Sequence, residues 1–183
     1  MAFNINDIRS QMALGGARPS FFQVHITNPI NPIADIKAPF MTKAATLPSW
    51  ETSVVPVFYF GRQIKLSGTR TFEPWTVTVM NDEDFLVRNT IEQWSNAMNS
   101  LEGNLQTTGT SAPSSYKSQG TVTQFGKAGQ VLRVYQLNGI WPSNITAIDL
   151  DWATGDAIEE FQITFQFDDL ELIGGQTGNA GGV

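Results

Sequence analysis

Cysteine is absent from this chain of 183 residues, and histidine occurs once, as His25. The first absence removes thiolate nucleophiles, disulfides and Cys-ligated zinc or iron–sulfur sites, and it leaves the redox compartment unreadable. The second removes any His-cluster metal site and makes imidazole catalysis rest on one residue. Charge is scarce as well: 15% of residues are Asp, Glu, Lys or Arg, with 11 cations against 17 anions and a formal net charge of −6. Such a surface repels phosphates, which argues against ordinary nucleic-acid binding yet leaves room for a surface that nucleic acid slides past. No apolar run approaches the roughly 20 residues of a membrane span, and the opening MAFNINDIRSQMALGG lacks a basic region followed by an unbroken apolar stretch. The expectation is a soluble protein made without a Sec signal.

What is present suits one β-rich domain. Hydrophobic residues make up 41% of the chain, with 12 Phe and five Trp, and a chain of this length buries roughly 70% of its unfolded surface. After an arm at 1–17, with helical spacing at Ile5, Ile8 and Met12, Phe22, Val24 and Ile26 alternate with Gln23, His25 and Thr27 as a half-buried strand requires. Residues 28–39 hold three prolines and read as an inserted loop or extended excursion. Segments 40–48 and 54–68 are rich in β-formers; Phe58, Phe60, Ile64 and Leu66 share a parity, and Gly61 marks a bend or hairpin turn. Trp75, Val77 and Val79 alternate with Thr76, Thr78 and Met80 in the clearest strand.

Asn81 and Asp82 offer N-cap oxygens and Glu83 and Asp84 suit the positive end of a helix, predicting a helix over about 83–101 with Val87, Ile91, Trp94, Met98 and Leu101 as its apolar stripe. Residues 102–115 read as a mobile loop. Strands follow at about 116–126 and 130–139 around a GKAG turn, then a loop-like GIWPSNI corner. Phe161, Ile163, Phe165 and Phe167 alternate with Glu160, Gln162, Thr164, Gln166 and Asp168. The division is an arm (1–17), a β domain (18–172) and a flexible Gly-rich tail (173–183).

Chemical motifs are weak. GTVTQFGKA has five residues between its glycines where a phosphate loop has four, and Ala128 stands where that loop needs Ser or Thr. Around Asp149, Asp151 and Asp156, a calcium loop fails because Ala153 takes a ligand position and Thr154 the glycine position. Glu159, Glu160, Asp168 and Asp169 raise a carboxylate hydrolase, but a solvated strand face is the simpler reading. No G-x-S-x-G elbow occurs, and the Asn144 glycosylation sequon has no expected route to that machinery. No enzyme activity, metal or cofactor is expected. Long polar strand faces and open edges point to strand pairing between copies, which closes as a ring or continues as a helix.

The blocks RPSFFQV (18–24), KAATLP (43–48), GRQIKLSGTRTFEPWTVTVMND (61–82), GIWPSNI (139–145) and LDWATGDAIEEFQITF (150–165) carry a resemblance over about 16–170. Together they resemble the tail tube proteins of contractile-tailed (myovirus) bacteriophages. The resemblance implies a mainly β subunit with one flanking α-helix, a β-sandwich or partly open barrel whose strands join an inter-subunit β-barrel. It implies hexameric rings stacked into a hollow conduit for genome ejection inside a contractile sheath. The implied partners are copies of itself, sheath, baseplate and tail-terminator proteins, and genomic DNA passing through the lumen without specific binding, with no membrane. The implied place is the virion tail, assembled in the host cytoplasm.

By position, residues 47–61 resemble the family's projecting loop and hairpin, making Leu47, Pro48, Trp50, Val55, Val57 and Tyr59 candidate inter-subunit or inter-ring contacts. Thr76 and Thr78, with Gln162, Thr164 and Gln166, are candidates for lumen lining, with an outer solvent face as the competing reading. Arg70 and Asp82 are candidates for inter-subunit ion pairs. The 28–39 excursion and the tail depart from the family pattern and are candidates for stacking or sheath-facing elements. A carbohydrate-binding β-sandwich module is the alternative function, and it requires tryptophans exposed in a row.

Overall fold

Alternating strands set the frame of the structure, a computed structural model that describes residues 5–12 and 15–175. One sheet runs in the order β1 (Phe22–Ile26), β6 (Ser118–Phe125), β7 (Val131–Ile145), β8 (Glu160–Gln166), β5 (Trp75–Met80) and β2 (Thr42–Ala45), and β9 (Asp169–Gly175) pairs with β7. All these pairings are antiparallel. The path does not close, so the fold is a mainly β, partly open barrel with one longer helix, α3 (Leu86–Met98), at its side.

The buried faces are those the alternation predicts. Val24, Ile26, Trp75, Val77, Val79, Phe161, Ile163 and Phe165 form one core with Val122, Leu137 and Ile140. From the helix, Val87, Ile91 and Trp94 join it; Trp94 meets Phe165 at 6.2 Å between ring centroids, and Trp75 meets the same ring at 5.5 Å. Each buried indole finds a carbonyl: Trp75 Nε1 donates to Thr46 O at 2.8 Å and Trp94 Nε1 to Tyr116 O at 2.7 Å.

Five sequence expectations need revision. The helix starts at Leu86, because Phe85 adopts a left-handed backbone with φ 51° and Asp82 and Asp84 form the preceding turn. Both carboxylates reach Lys37 Nζ, at 2.6 and 2.5 Å, while Asn81 donates to Glu159 and caps nothing. The helix ends at Met98, leaving Leu101 92% exposed. There the 102–115 loop folds back, Thr107 N and Thr110 Oγ1 donating to Ala97 O.

The 28–39 segment is no loose insertion. It holds a 3-10 turn (Pro32–Ala34) and leads into α2 (Ala38–Met41), with Ala34 in the core. Asn28 fastens it: Nδ2 donates to Thr90 O at 3.0 Å, and Oδ1 accepts from Ile30 N and Asn31 N.

The GIWPSNI corner is a bend inside β7. Gly139 has φ +68°, and a Cβ there would stand 2.3 Å from Asp168 Oδ2. The partner strand breaks at the same level, between β8 and β9, so one bent ribbon serves both ends of the sheet. Strand β9 thereby takes in 173–175 of the expected tail; 176–183 lie outside the described residues. In the expected arm, Ile5–Gln11 are helical and exposed (α1), and residues 1–4 and 13–14 lie outside the described residues.

Candidate functional site

Away from that core, β3 (Trp50–Tyr59) and β4 (Arg62–Phe72) form a separate two-stranded hairpin. Its turn is Phe60-Gly61, with Tyr59 paired to Arg62 and φ of 45° and 75° at the two turn residues. Positive φ at both positions is the type I′ geometry that matches strand twist, which Gly61 supplies without strain. The turn also revises the parity reading. Val55 pairs with Leu66 and Val57 with Ile64, so these four and Tyr59 share one face, while Phe58 lies on the other with Gln63.

Every residue of β3 is exposed, and of β4 only Gly68 and Phe72 are half-buried. Phe72 anchors the root against Phe167, with ring centroids 5.3 Å apart. Val57 and Leu66 remain 43% and 53% exposed, and Phe60 at the tip 89%. An isolated two-stranded ribbon is marginally stable in water, so uncovered apolar side chains on both faces mark a surface awaiting cover. Of the sequence-predicted contacts, Trp50, Val55, Val57 and Tyr59 lie on this hairpin and Leu47 is exposed beside it. Pro48 is buried within the subunit and offers no contact surface.

The second set, Thr76, Thr78, Gln162, Thr164 and Gln166, gathers on one face. Thr76 stands opposite Thr164 and Thr78 opposite Gln162, while Gln166 extends the row opposite Trp141. Since Trp75, Val77, Ile163 and Phe165 point into the core, these polar partners face the other way. The Lys43–Glu160 ion pair stands near the Met80 end of this row. β1 and β2 terminate the sheet, and β9 pairs only with β7 among the described residues. Each leaves a row of backbone groups for another strand.

Charged groups are placed as structural ties. Within the subunit Asp82 is engaged by Lys37 and Arg70 lies 5.9 Å over the Trp50 ring. Hydrogen bonds from Lys37 hold the Asp82 and Asp84 carboxyls below their usual range, and the same bonds raise the Lys37 ammonium. Burial pushes Asp35 up, opposed by a bond from Asn28 N and by the charge of His25. His25 is exposed on β1. The carboxylates considered for hydrolysis are engaged: Glu159 accepts from Asn81, Glu160 pairs with Lys43, Asp168 with Lys117, and Asp169 accepts from Asn138.

The stretch around Asp149, Asp151 and Asp156, which the sequence marks as an exposed acidic loop, is the loop between β7 and β8, and sequence reasoning missed its apolar side chains. Leu150 and Ile158 are 80% and 68% exposed, and Trp152 is wholly so. Its signal was a tryptophan in an acidic, non-alternating stretch. A shallow cavity of about 430 Å³ at its foot is lined by Met41, Met80, Phe85 and Ile158 with the acidic Asp82 and Glu159.

A protein-family model described as phage tail tube protein matches residues 17–171. The chain belongs to that family. The tail tube protein gp19 of Enterobacteria phage T4 is 35% identical over 153 residues, 83% of this chain and 89% of its own length. A tail tube protein of Serratia phage KSP90 is 24% identical over 168 residues, 89% of this chain and 93% of that protein. Among solved structures, a chain of the anti-feeding prophage baseplate superposes with a TM-score of 0.61 at 15% identity, covering 88% of this tube protein and 97% of that chain. A chain from the sheath/tube terminator of an extracellular contractile injection system gives 0.61 at 16% identity, covering 85% and 94%. These likenesses carry the fold, and the family and sequence relatives carry the function: a structural tail tube protein of a contractile phage.

Proposed function

We propose that this tube protein closes into hexameric rings, stacked as a hollow conduit through which genomic DNA leaves the particle. The observation that carries the reading is the pairing of an uncovered apolar hairpin with open sheet edges around a polar face of hydroxyls and amides, with the Lys43–Glu160 ion pair at its end. Edge strands bond to sister copies and extend the sheet into a shared barrel. The hairpin reaches an adjacent subunit or ring and buries its apolar face; full burial of a Val, Leu, Ile or Phe side chain contributes about 1.5–3 kcal/mol, and these start half-covered.

Thr76, Thr78, Gln162, Thr164 and Gln166 line the bore. Hydroxyls and amides there offer DNA no cationic hold, which suits passage without retention. The work is mechanical and uses no cofactor. Sheath, baseplate and tail-terminator proteins are its neighbours, a reading supported by the fold shared with chains of baseplate, terminator and sheath–tube assemblies. Assembly takes place in the host cytoplasm. The carbohydrate-binding alternative is weakened, since Trp75 and Trp94 are both buried and the exposed Trp50 and Trp152 stand on different elements, β3 and the β7–β8 loop.

Cryo-electron microscopy of assembled full-length protein tests this. The expected result is stacked six-membered rings with Thr78 and Gln162 facing an open bore. Solid filaments, or a bore lined instead by the α3 side, overturn it.

A further inference from the structure

Resting on the reading of the hairpin as an inter-copy contact, we propose that its seat is the β7–β8 loop, residues 147–159, of a neighbouring copy. The two surfaces are complementary in charge. Residues 50–72 hold Arg62, Lys65 and Arg70 against one acid, Glu51, whereas residues 147–159 hold four acids and no Lys or Arg. The ion pairs among the described residues engage Lys37, Lys43, Arg88 and Lys117, so Arg62, opposite Tyr59 beside the turn, and Lys65, opposite Pro56 on the other face of the ribbon, have no acidic partner there. Among the described residues, Asp149, Asp151 and Asp156 likewise take no cation.

The two surfaces also match in apolar character. The hairpin offers Val57, Tyr59 and Ile64; the loop offers Leu150, Trp152 and Ile158. Trp152 gives a cation such as Arg62 an aromatic face as well as nearby carboxylates. Phe60 points to selection for contact at the tip: it occupies a left-handed turn position that favours Asn, Asp or Gly, and it is 89% exposed. Among the described residues, the one ring this exposed aromatic meets is its neighbour Tyr59, edge-on at 4.6 Å.

Two experiments test the pairing. In the first, D149K/D151K and R62E/K65E are each introduced in the full chain, then combined. All four positions are exposed, and circular dichroism checks that each variant folds. Each pair alone is expected to shorten assembled tubes by about tenfold, and the four-fold swap to restore them, because like charges meet in the first two and opposite charges in the last. A swap that fails to restore assembly overturns the pairing, as does D149K/D151K assembling like the parent. If R62E/K65E alone blocks assembly, the hairpin reading survives that failure; if hairpin variants are also neutral, both readings fall together.

The second experiment exploits the absence of native cysteine. Mixing Y59C protein with W152C protein under assembly conditions is expected to give a disulfide-linked heterodimer on mild oxidation. Cross-links confined to like variants, or none, overturn the contact.

Discussion

Asn28 shows how much one side chain holds. It is 4% exposed, and its amide bonds three backbone groups, joining the end of β1 to the helix through Thr90 O and shaping the turn through Ile30 N and Asn31 N. Asn28→Ala strands buried donors and acceptors, and on the order of 1–3 kcal/mol of stability is expected to be lost, read as a lower urea midpoint. None of this was legible beforehand: an Asn-Pro pair announces a turn, but the remote carbonyl it caps depends on which helix packs alongside. Gly139 was legible as a break and misread in kind, because a positive φ bends a strand as readily as it ends one.

Among the elements, strands with one dry face were read correctly, since alternation at Trp75, Val77 and Val79 or at Phe161, Ile163 and Phe165 reports the core directly. The hairpin was harder, having no dry face. The entry to α3 misled because carboxylates before a helix suit its dipole wherever they stand, and Lys37, distant in sequence, decided where these two point. Asp82 and Asp84 have lowered affinities for protons, so their contribution is present above the ordinary carboxylate range and lost as the pH falls through their folded-state values. Lys37, raised, contributes fully below its ordinary range and loses that contribution as the pH rises through its folded-state value. Thermal melts of parent and Lys37→Met protein are therefore expected to differ near neutral pH and to converge as the acids protonate. A gap unchanged down to pH 2 would contradict the tie.

For the whole molecule, the division of labour lies between a packed body and an uncovered limb. The contacts of β3 are overwhelmingly with β4, and the limb touches the body mainly at its root, through Phe72 and Phe167. Replacing 51–71 by a short Gly-Ser link is expected to leave the melting temperature of the body within a few degrees while abolishing stacked assembly, measured by calorimetry and electron microscopy. A body that unfolds without the limb would show that the hairpin belongs to the core. The family was legible from ordered sequence blocks and the acidic loop from its carboxylates, whereas the bare tryptophan on that loop was not, because a single chain does not reveal which exposed residues a copy will cover.

The shared strand β7 has a consequence for how the molecule yields. It is flanked along much of its length by β6 on one side and by the β8–β9 ribbon on the other, so neither half of the sheet can fray without the other. Opening of its amides waits on loss of the entire body, while those of the limb open alone. A free subunit is thus rigid at its centre and soft at its reach, and docking onto a sister copy stiffens the one part that solution leaves loose.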